Sequence, residues 1–170
     1  MDVHIRQAGP RDAPEVMRLI QALAQYEEAP QEVVLNVEEL ARDLAGKAPA
    51  QPIVWLAYWN HRDRPSGMAF CFWAYSTWKG PTLYLEDLFV EASYRRLGIG
   101  RALLECVIDY SIAHQARRLA WQVLDWNQLA IAFYRALGAE LDPSWVQIRL
   151  QGAELERMKN RRLEHGKSDL

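Results

Sequence analysis

Between Leu83 and Gly100 the chain reads LYLEDLFVEASYRRLGIG. An apolar run holding two adjacent acids, Glu86 and Asp87, leads into a turn that contains Arg95, Arg96, Gly98 and Gly100. From Ile99 to Ala113 apolar residues recur at helical spacing, so the turn opens a helix. A helix start carries free backbone N–H groups and about half a unit of positive charge. It becomes an anion site where the backbone can come close. Gly98 and Gly100 lack Cβ atoms and permit that approach, and the arginines add bidentate donors for phosphate oxygens. The turn is read as a grip on a pyrophosphate, with an ordinary glycine-containing helix start as the alternative. It is not a P-loop, because GxxxxGK[ST] is absent, and GxGxxG would need a further glycine near Leu103.

The rest of the chain surrounds this unit. Val3–Arg6 is expected as a first strand. A helix follows, with Asp12 as N-cap, Glu15 at capping-box spacing, Pro14 in the first turn, and Val16, Leu19, Ile20, Leu23 and Ala24 on one face. It ends near Tyr26-Glu27-Glu28. Asn36 and Glu39 cap a short second helix that carries Leu40 and Leu44, and 46–52 is a loop. Strands are expected at Ile53–Trp59 and Met68–Tyr75, joined by a polar turn, then at Thr82–Val90, Leu119–Leu124 and Trp145–Leu150. The helix from Ile99 to His114 is apolar round much of its surface and is expected to be covered on more than one side. Asn127–Leu137 is a helix ended by Gly138 in the left-handed conformation. The strand–helix–strand unit supplies a parallel crossover among otherwise antiparallel strands. The expected fold is a mixed, mostly antiparallel α/β sheet flanked by helices.

With 170 residues, half of them hydrophobic, one domain over 1–150 is expected, followed by a charged tail over 151–170. A net charge of −2 without a basic stripe argues against nucleic acid. No apolar stretch is long enough to span a membrane, and the first residues lack a signal-peptide pattern, so a cytoplasmic location is expected. Cys71 and Cys106 read as buried free thiols. His4, His61, His114 and His165 fall in no metal-ligand spacing, so no metal is expected. The seven tryptophans are read as core and cleft wall.

The string Arg-x-x-Gly-x-Gly resembles the acetyl-CoA site of the GCN5-related N-acetyltransferase superfamily. YSTWKGPTLYLEDLFV, YRRLGIG and VLDWNQLAIAFYRALGA resemble the diamine acetyltransferase family within it, which includes spermidine/spermine and thialysine acetyltransferases. The resemblance covers about residues 3–150. It implies acetyl-CoA as donor, a small primary amine as acceptor, a homodimer and the fold just described. It also implies that Glu86 takes the amine proton and that Tyr134 is the general acid. Leu88, Phe89 and Val90 then hold the pantetheine arm. Arg96, Leu97, Gly98, Ile99, Gly100 and Arg101 hold the pyrophosphate with Arg95 beside them, and Asn127 contacts the cofactor. Tyr26 and Glu27 line the amine pocket, their alternative being a solvated helix end. Ser76 and Trp78 occupy a substrate segment in which the polyamine branch carries an acid at the position of Ser76. That difference favours a thialysine-like ω-amino acid or related small amine over a long polycation.

Chemistry agrees with these roles. An alkylammonium must lose a proton of pKa roughly 10 before it attacks a thioester, and the departing thiolate gains from a proton. Desolvation within an apolar strand is expected to raise the Glu86 pKa toward working pH. Its alternative is a structural acid. In a regular strand Asp87 faces the other side and reads as a structural hydrogen-bonding partner. Tyr134, beside a helix stripe of Leu129, Ala132, Phe133 and Ala136, can reach a cleft edge, and its phenol suits a thiolate leaving group. Two other functions stay open: acetylation of a protein lysine or N-terminus, and a non-catalytic acyl-CoA-binding module.

Overall fold

A computed structural model describes residues 2–47 and 51–165. The chain divides into two compact units, Met1–Gln122 and Val123–Leu170. The first holds a five-stranded sheet in the order β1-β2-β3-β4-β5, formed by β1 (Val3–Gln7), β2 (Ile53–Trp59), β3 (Gly67–Ser76), β4 (Gly80–Val90) and β5 (Arg118–Trp121). Every neighbouring pair is antiparallel except β4–β5, which is parallel. The crossover between those two strands is helix α3 (Ile99–Ala113), as a parallel connection requires.

The sheet is covered on both faces, which explains why Ile53–Ala57 in β2 is buried without alternation. On one face α1 (Ala13–Tyr26) and α2 (Val37–Arg42) pack Val16, Leu19 and Leu40 onto Val54, Leu56, Met68 and Phe89. On the other, α3 buries Ile99, Leu103, Leu104 and Val107. Gly67 permits that helix to dock: a Cβ there would lie 2.8 Å from the Phe89 carbonyl oxygen and 3.3 Å from Leu103 Cδ1. Helix α3 is covered along one stripe only, since Ile112 is 69% exposed. The expectation of cover on more than one side is therefore corrected. Its apolar residues outnumber the positions that the sheet can bury.

Local signals at the helix starts had mixed outcomes. Asn36 Oδ1 accepts from the Glu39 N–H at 2.9 Å, and Glu39 Oε2 accepts from the Asn36 N–H at 3.2 Å, a complete capping box. Asp12 does not form the expected box with Glu15. Its carboxylate accepts two hydrogen bonds from Arg6, at 2.6 and 2.8 Å, and one from the Gly9 N–H at 2.8 Å. The Arg6 guanidinium from β1 has taken the capping acid and holds its pKa below the usual range. Glu15 bonds Arg18 instead, at 2.7 Å. Arg18 also donates to Glu91 and to the Pro65 carbonyl, each at 2.6 Å, and so ties α1 to the chain leaving β4.

The second unit contains α4 (Gln128–Ala136) and α5 (Gly152–His165). Gly138, with φ +82°, ends α4 in the left-handed conformation as expected. The strand expected at Trp145–Leu150 is absent: 145–150 have no regular structure, and Val146 and Ile148 are 83% and 89% exposed. A strand exists only with a ladder partner, and these residues have none among the described residues. The charged tail expected from Glu154 is helical from Gly152 to His165, while 166–170 lie outside the described residues. So does the middle of the expected 46–52 loop. The reading of the tryptophans as core and cleft wall is met in the core by Trp55, while Trp78, Trp126 and Trp145 are exposed.

Candidate active site

The site in the first unit begins with a β-bulge in β4. Phe70 of β3 pairs with Asp87 and Cys71 pairs with Leu85, so Glu86 is an extra residue without a partner. A bulge breaks the alternation of a strand. Residues paired across a ladder share a face, so Asp87 joins Phe70, whose side chain packs with the α1–α2 core. Glu86 lines a cleft on that same side with Phe70, Phe72, Leu35, Leu40, Asp43 and Pro52. The expectation that Asp87 faces away is thus corrected, because the parity rule holds only for a regular strand.

The same bulge moves the desolvation. Glu86 is exposed, and Asp87 is the more buried acid. Burial first, and then the negative charges of Glu86 and Glu27, together raise the Asp87 pKa from 3.8 to about 7. Burial also raises Glu27, at the C-terminal cap of α1. Glu86 and Asp43 line a mostly apolar cleft of about 350 Å3, and the Asp87 carboxyl feels the charges of Glu86 and Glu27. The cleft has a size suited to a small molecule, and its charge suits a cation.

Beyond the bulge, β4 has only one ladder. Its pairing with β5 covers Thr82–Leu85 and stops there, while Asp87–Val90 continue to pair with β3. In this unit the other edge of 86–90 thus offers main-chain donors and acceptors without a strand opposite. An amide-bearing chain could pair with such an edge. The glycine turn follows directly. Gly98 caps α3 with φ +83° and has no side chain to bond the first turn. Among the described residues beyond its chain neighbours and its own helix backbone, no atom lies within 4 Å of where its Cβ would be. The first helical hydrogen bond runs from the Ala102 N–H to the Gly98 carbonyl at 3.0 Å, so the N–H groups of 99–101 precede it. The backbone is bare, open and positively polarised, which fits a diphosphate.

The arginines of the turn divide in their roles. Arg95 Nε donates to the Val90 carbonyl at 3.1 Å, and its guanidinium lies 4.3 Å from the centre of the Tyr26 ring. Its side chain thus joins the turn to the end of α1 by a cation–π contact. Arg101 Nε donates to Glu105 at 2.8 Å, along the helix surface. Arg96 takes φ +61° and is exposed.

In the second unit Asn127 caps α4, its Oδ1 accepting from the Ala130 N–H at 3.2 Å. Tyr134 is half-buried and sits beside Phe133, with ring centres 5.3 Å apart. The more covered side of α4 is Asn127, Ala130, Ile131 and Tyr134. The expected stripe through Leu129, Ala132 and Ala136 is displaced, and Leu129 is exposed. Tyr134 thus belongs to the covered side itself.

Residues 15–139 match the acetyltransferase (GNAT) family. The chain belongs to that family. It is 32% identical over 151 residues to the thialysine N-epsilon-acetyltransferase of Caenorhabditis elegans, covering 87% of this chain and 91% of that one. Its identity to the Bos taurus protein of the same name is 34% over 143 residues, covering 81% and 84%. An integron cassette protein from the mobile metagenome of V. cholerae shares the fold, with TM-score 0.74 at 24% identity and coverage of 94% and 98%.

As a GNAT family member the chain is an N-acetyltransferase. Of the residues singled out in its sequence, Glu86, Glu27, Leu88–Val90 and the turn 95–101 fall in the first unit on or beside β4. Ser76 and Trp78 do not reach the cleft in that unit. Ser76 pairs with Gly80, six positions along β4 from Glu86, which is about 20 Å of strand. The Ser76 hydroxyl accepts from the Lys79 N–H at 3.2 Å in the hairpin turn. Asp87 is the residue that sequence reasoning set aside, and only the bulge reveals its place. Asp43, Phe70 and Phe72 were also missed as cleft residues, since no local motif marks them. The Cys71 thiol is buried and pushed up to about 12, which leaves it a poor nucleophile. Among the described residues no group of His, Cys, Asp and Glu could hold a metal ion, and no helix is long and apolar enough to cross a membrane.

Proposed function

We propose that this GNAT enzyme moves the acetyl group of acetyl-CoA to the primary amine of a small molecule, by direct transfer with both substrates bound. The acceptor is a thialysine-like ω-amino acid or a diamine. The observation that carries the proposal is the carboxylate-lined cleft directly beside a strand edge and a bare helix start suited to coenzyme A. The names of the relatives, thialysine N-epsilon-acetyltransferases, support the same acceptor class.

Acetyl-CoA supplies an activated acetyl thioester. The chain's own residues do the rest. The main-chain N–H groups of Arg96 to Arg101 hold the diphosphate, and the open edge at Leu88, Phe89 and Val90 pairs with the amides of the pantetheine arm. Arg95 positions the turn against Tyr26, and Asn127 contributes a further contact to the cofactor. Tyr26 and Glu27 border the cationic acceptor. Glu86, exposed to the cleft, takes a proton from the ammonium group through an ordered water. Tyr134 gives a proton to the departing thiolate.

The active species is read as a cytoplasmic homodimer. The exposed apolar segment at Trp145–Leu150, which lacks a ladder partner among the described residues, supports a second copy. Steady-state kinetics test the assignment of roles. Tyr134→Phe is expected to lower kcat by roughly a hundredfold or more, with the affinity for acetyl-CoA unchanged. Full turnover in that variant would remove Tyr134 from the mechanism.

A further inference from the structure

The stoichiometry of amide formation sets the problem. An alkylammonium carries three N–H bonds and the amide product keeps one. Two protons therefore leave the nitrogen at different stages. One ends on the thiol of coenzyme A, and the other is released to water. A lone exposed carboxylate meets this demand poorly, because its ordinary pKa lies about six powers of ten below that of the ammonium.

The bulge in β4 places a second carboxylate next to the first. Glu86 and Asp87 are adjacent in sequence and lie on the same side of the sheet, one exposed to the cleft and one withdrawn from water. A regular strand would have sent them to opposite faces. Negative charges face Asp87 from more than one element. Glu86 is on its own strand and Glu27 ends α1. On β3, Asp87 acts in turn on the Cys71 thiol. From the end of α2, Asp43 lines the cleft with Glu86. The cation Arg95 is stacked on Tyr26, one residue before Glu27.

We propose that Asp87 is the proton store of the acetyl transfer, a positioning residue that receives through Glu86 the first proton leaving the acceptor amine. This deepens the acetyl-transfer reading and rests on it. One N–H bond of the ammonium breaks as an O–H bond forms at Glu86, through the intervening water. That proton passes to the Asp87 carboxylate and leaves Glu86 ionised for the second. The freed amine attacks the thioester carbon. Its second proton passes to Glu86 and from there to water, while Tyr134 gives its proton to the thiolate and regains one from water. The first proton then leaves Asp87 for water. Burial and two negative neighbours make Asp87 roughly a thousandfold better matched to the ammonium than an ordinary aspartate. Repulsion between the two acids also drives the proton on when Glu86 reionises.

The test is the pH dependence of kcat for the intact protein with an amine that it turns over. The unaltered enzyme is expected to lose kcat below a midpoint near pH 7, as Asp87 fills with its own proton. Asp87→Asn is expected to lower the plateau by roughly ten- to a hundredfold and to abolish that midpoint, with KM for acetyl-CoA unchanged. Asp87→Glu should restore a midpoint. An Asp87→Asn variant that keeps both plateau and midpoint overturns the proposal while acetyl transfer stands. If no amine is turned over by the unaltered enzyme, the acetyl-transfer reading itself falls and the proton store falls with it. A second readout does not need turnover: NMR titration of the Asp87 carboxyl should show a midpoint near 7 that drops in Glu86→Gln. A midpoint below 5 in the unaltered protein also overturns it.

Discussion

Asp87 is an acid that the fold holds against its ionisation. Its pKa is raised from 3.8 to about 7, so between those values the native state binds a proton that the unfolded chain has lost. Stability therefore falls as pH rises from about 4 to about 7 and changes no further above that. The shift corresponds to at most about 4 kcal/mol. Asp87→Asn should then be more stable than the unaltered protein at pH 8, by several degrees in Tm, and nearly equal to it at pH 3.5. Thermal melts at the two pH values check this, and a gain that is equal at both would contradict it. A variant that is sturdier yet slower marks a residue kept for chemistry. None of this was legible in LYLEDLFV. Two acids in an apolar strand were evident, but which one is buried depends on the bulge, and the bulge depends on pairing with β3. Asp12 teaches the same lesson. Its capping signal was real, yet Arg6 at the end of β1 took its carboxylate.

At the scale of elements, signals confined to a few neighbours were read well. The Asn36–Glu39 box and the Gly138 stop formed as written, because each needs only its own backbone. Helix α4 was found but its covered side was misjudged, since Leu129 and Ile131 are both apolar and only the surroundings choose between them. The glycine turn was legible as geometry. Gly98 sits at φ +83° with open space around it, a conformation that a β-branched residue adopts only with strain. Gly98→Val should destabilise the protein by about 1–2 kcal/mol and weaken acetyl-CoA binding at least tenfold. Calorimetric titration with acetyl-CoA reads the second effect, and unchanged affinity would remove the turn from the cofactor site. Arg95 shows what a motif leaves unsaid. Its cation was legible, whereas the stacking on Tyr26 that links the glycine turn to the end of α1 was not.

For the molecule as a whole, the order of strands and helices sufficed for a mixed sheet with one parallel pair, because the Ile99 helix can only be a crossover. The last strand was not realised, since it has no ladder partner among the described residues. Val146 and Ile148 stand in water, and a second copy would cover them. Ile148→Lys should therefore shift the protein from dimer to monomer in light scattering at micromolar concentration. A monomer before substitution, or a dimer after it, would contradict the assigned interface. Acetyl transfer to a small amine remains the claim on which the others depend. The most direct measurement is release of coenzyme A thiol from acetyl-CoA by the purified protein, with thialysine, lysine, ornithine, spermidine and lysine-bearing peptides offered in turn. Thiol release that requires a small primary amine, greatest with an ω-amino acid or short diamine, is the predicted result. Release only with peptides, or with no acceptor dependence at all, would contradict the account.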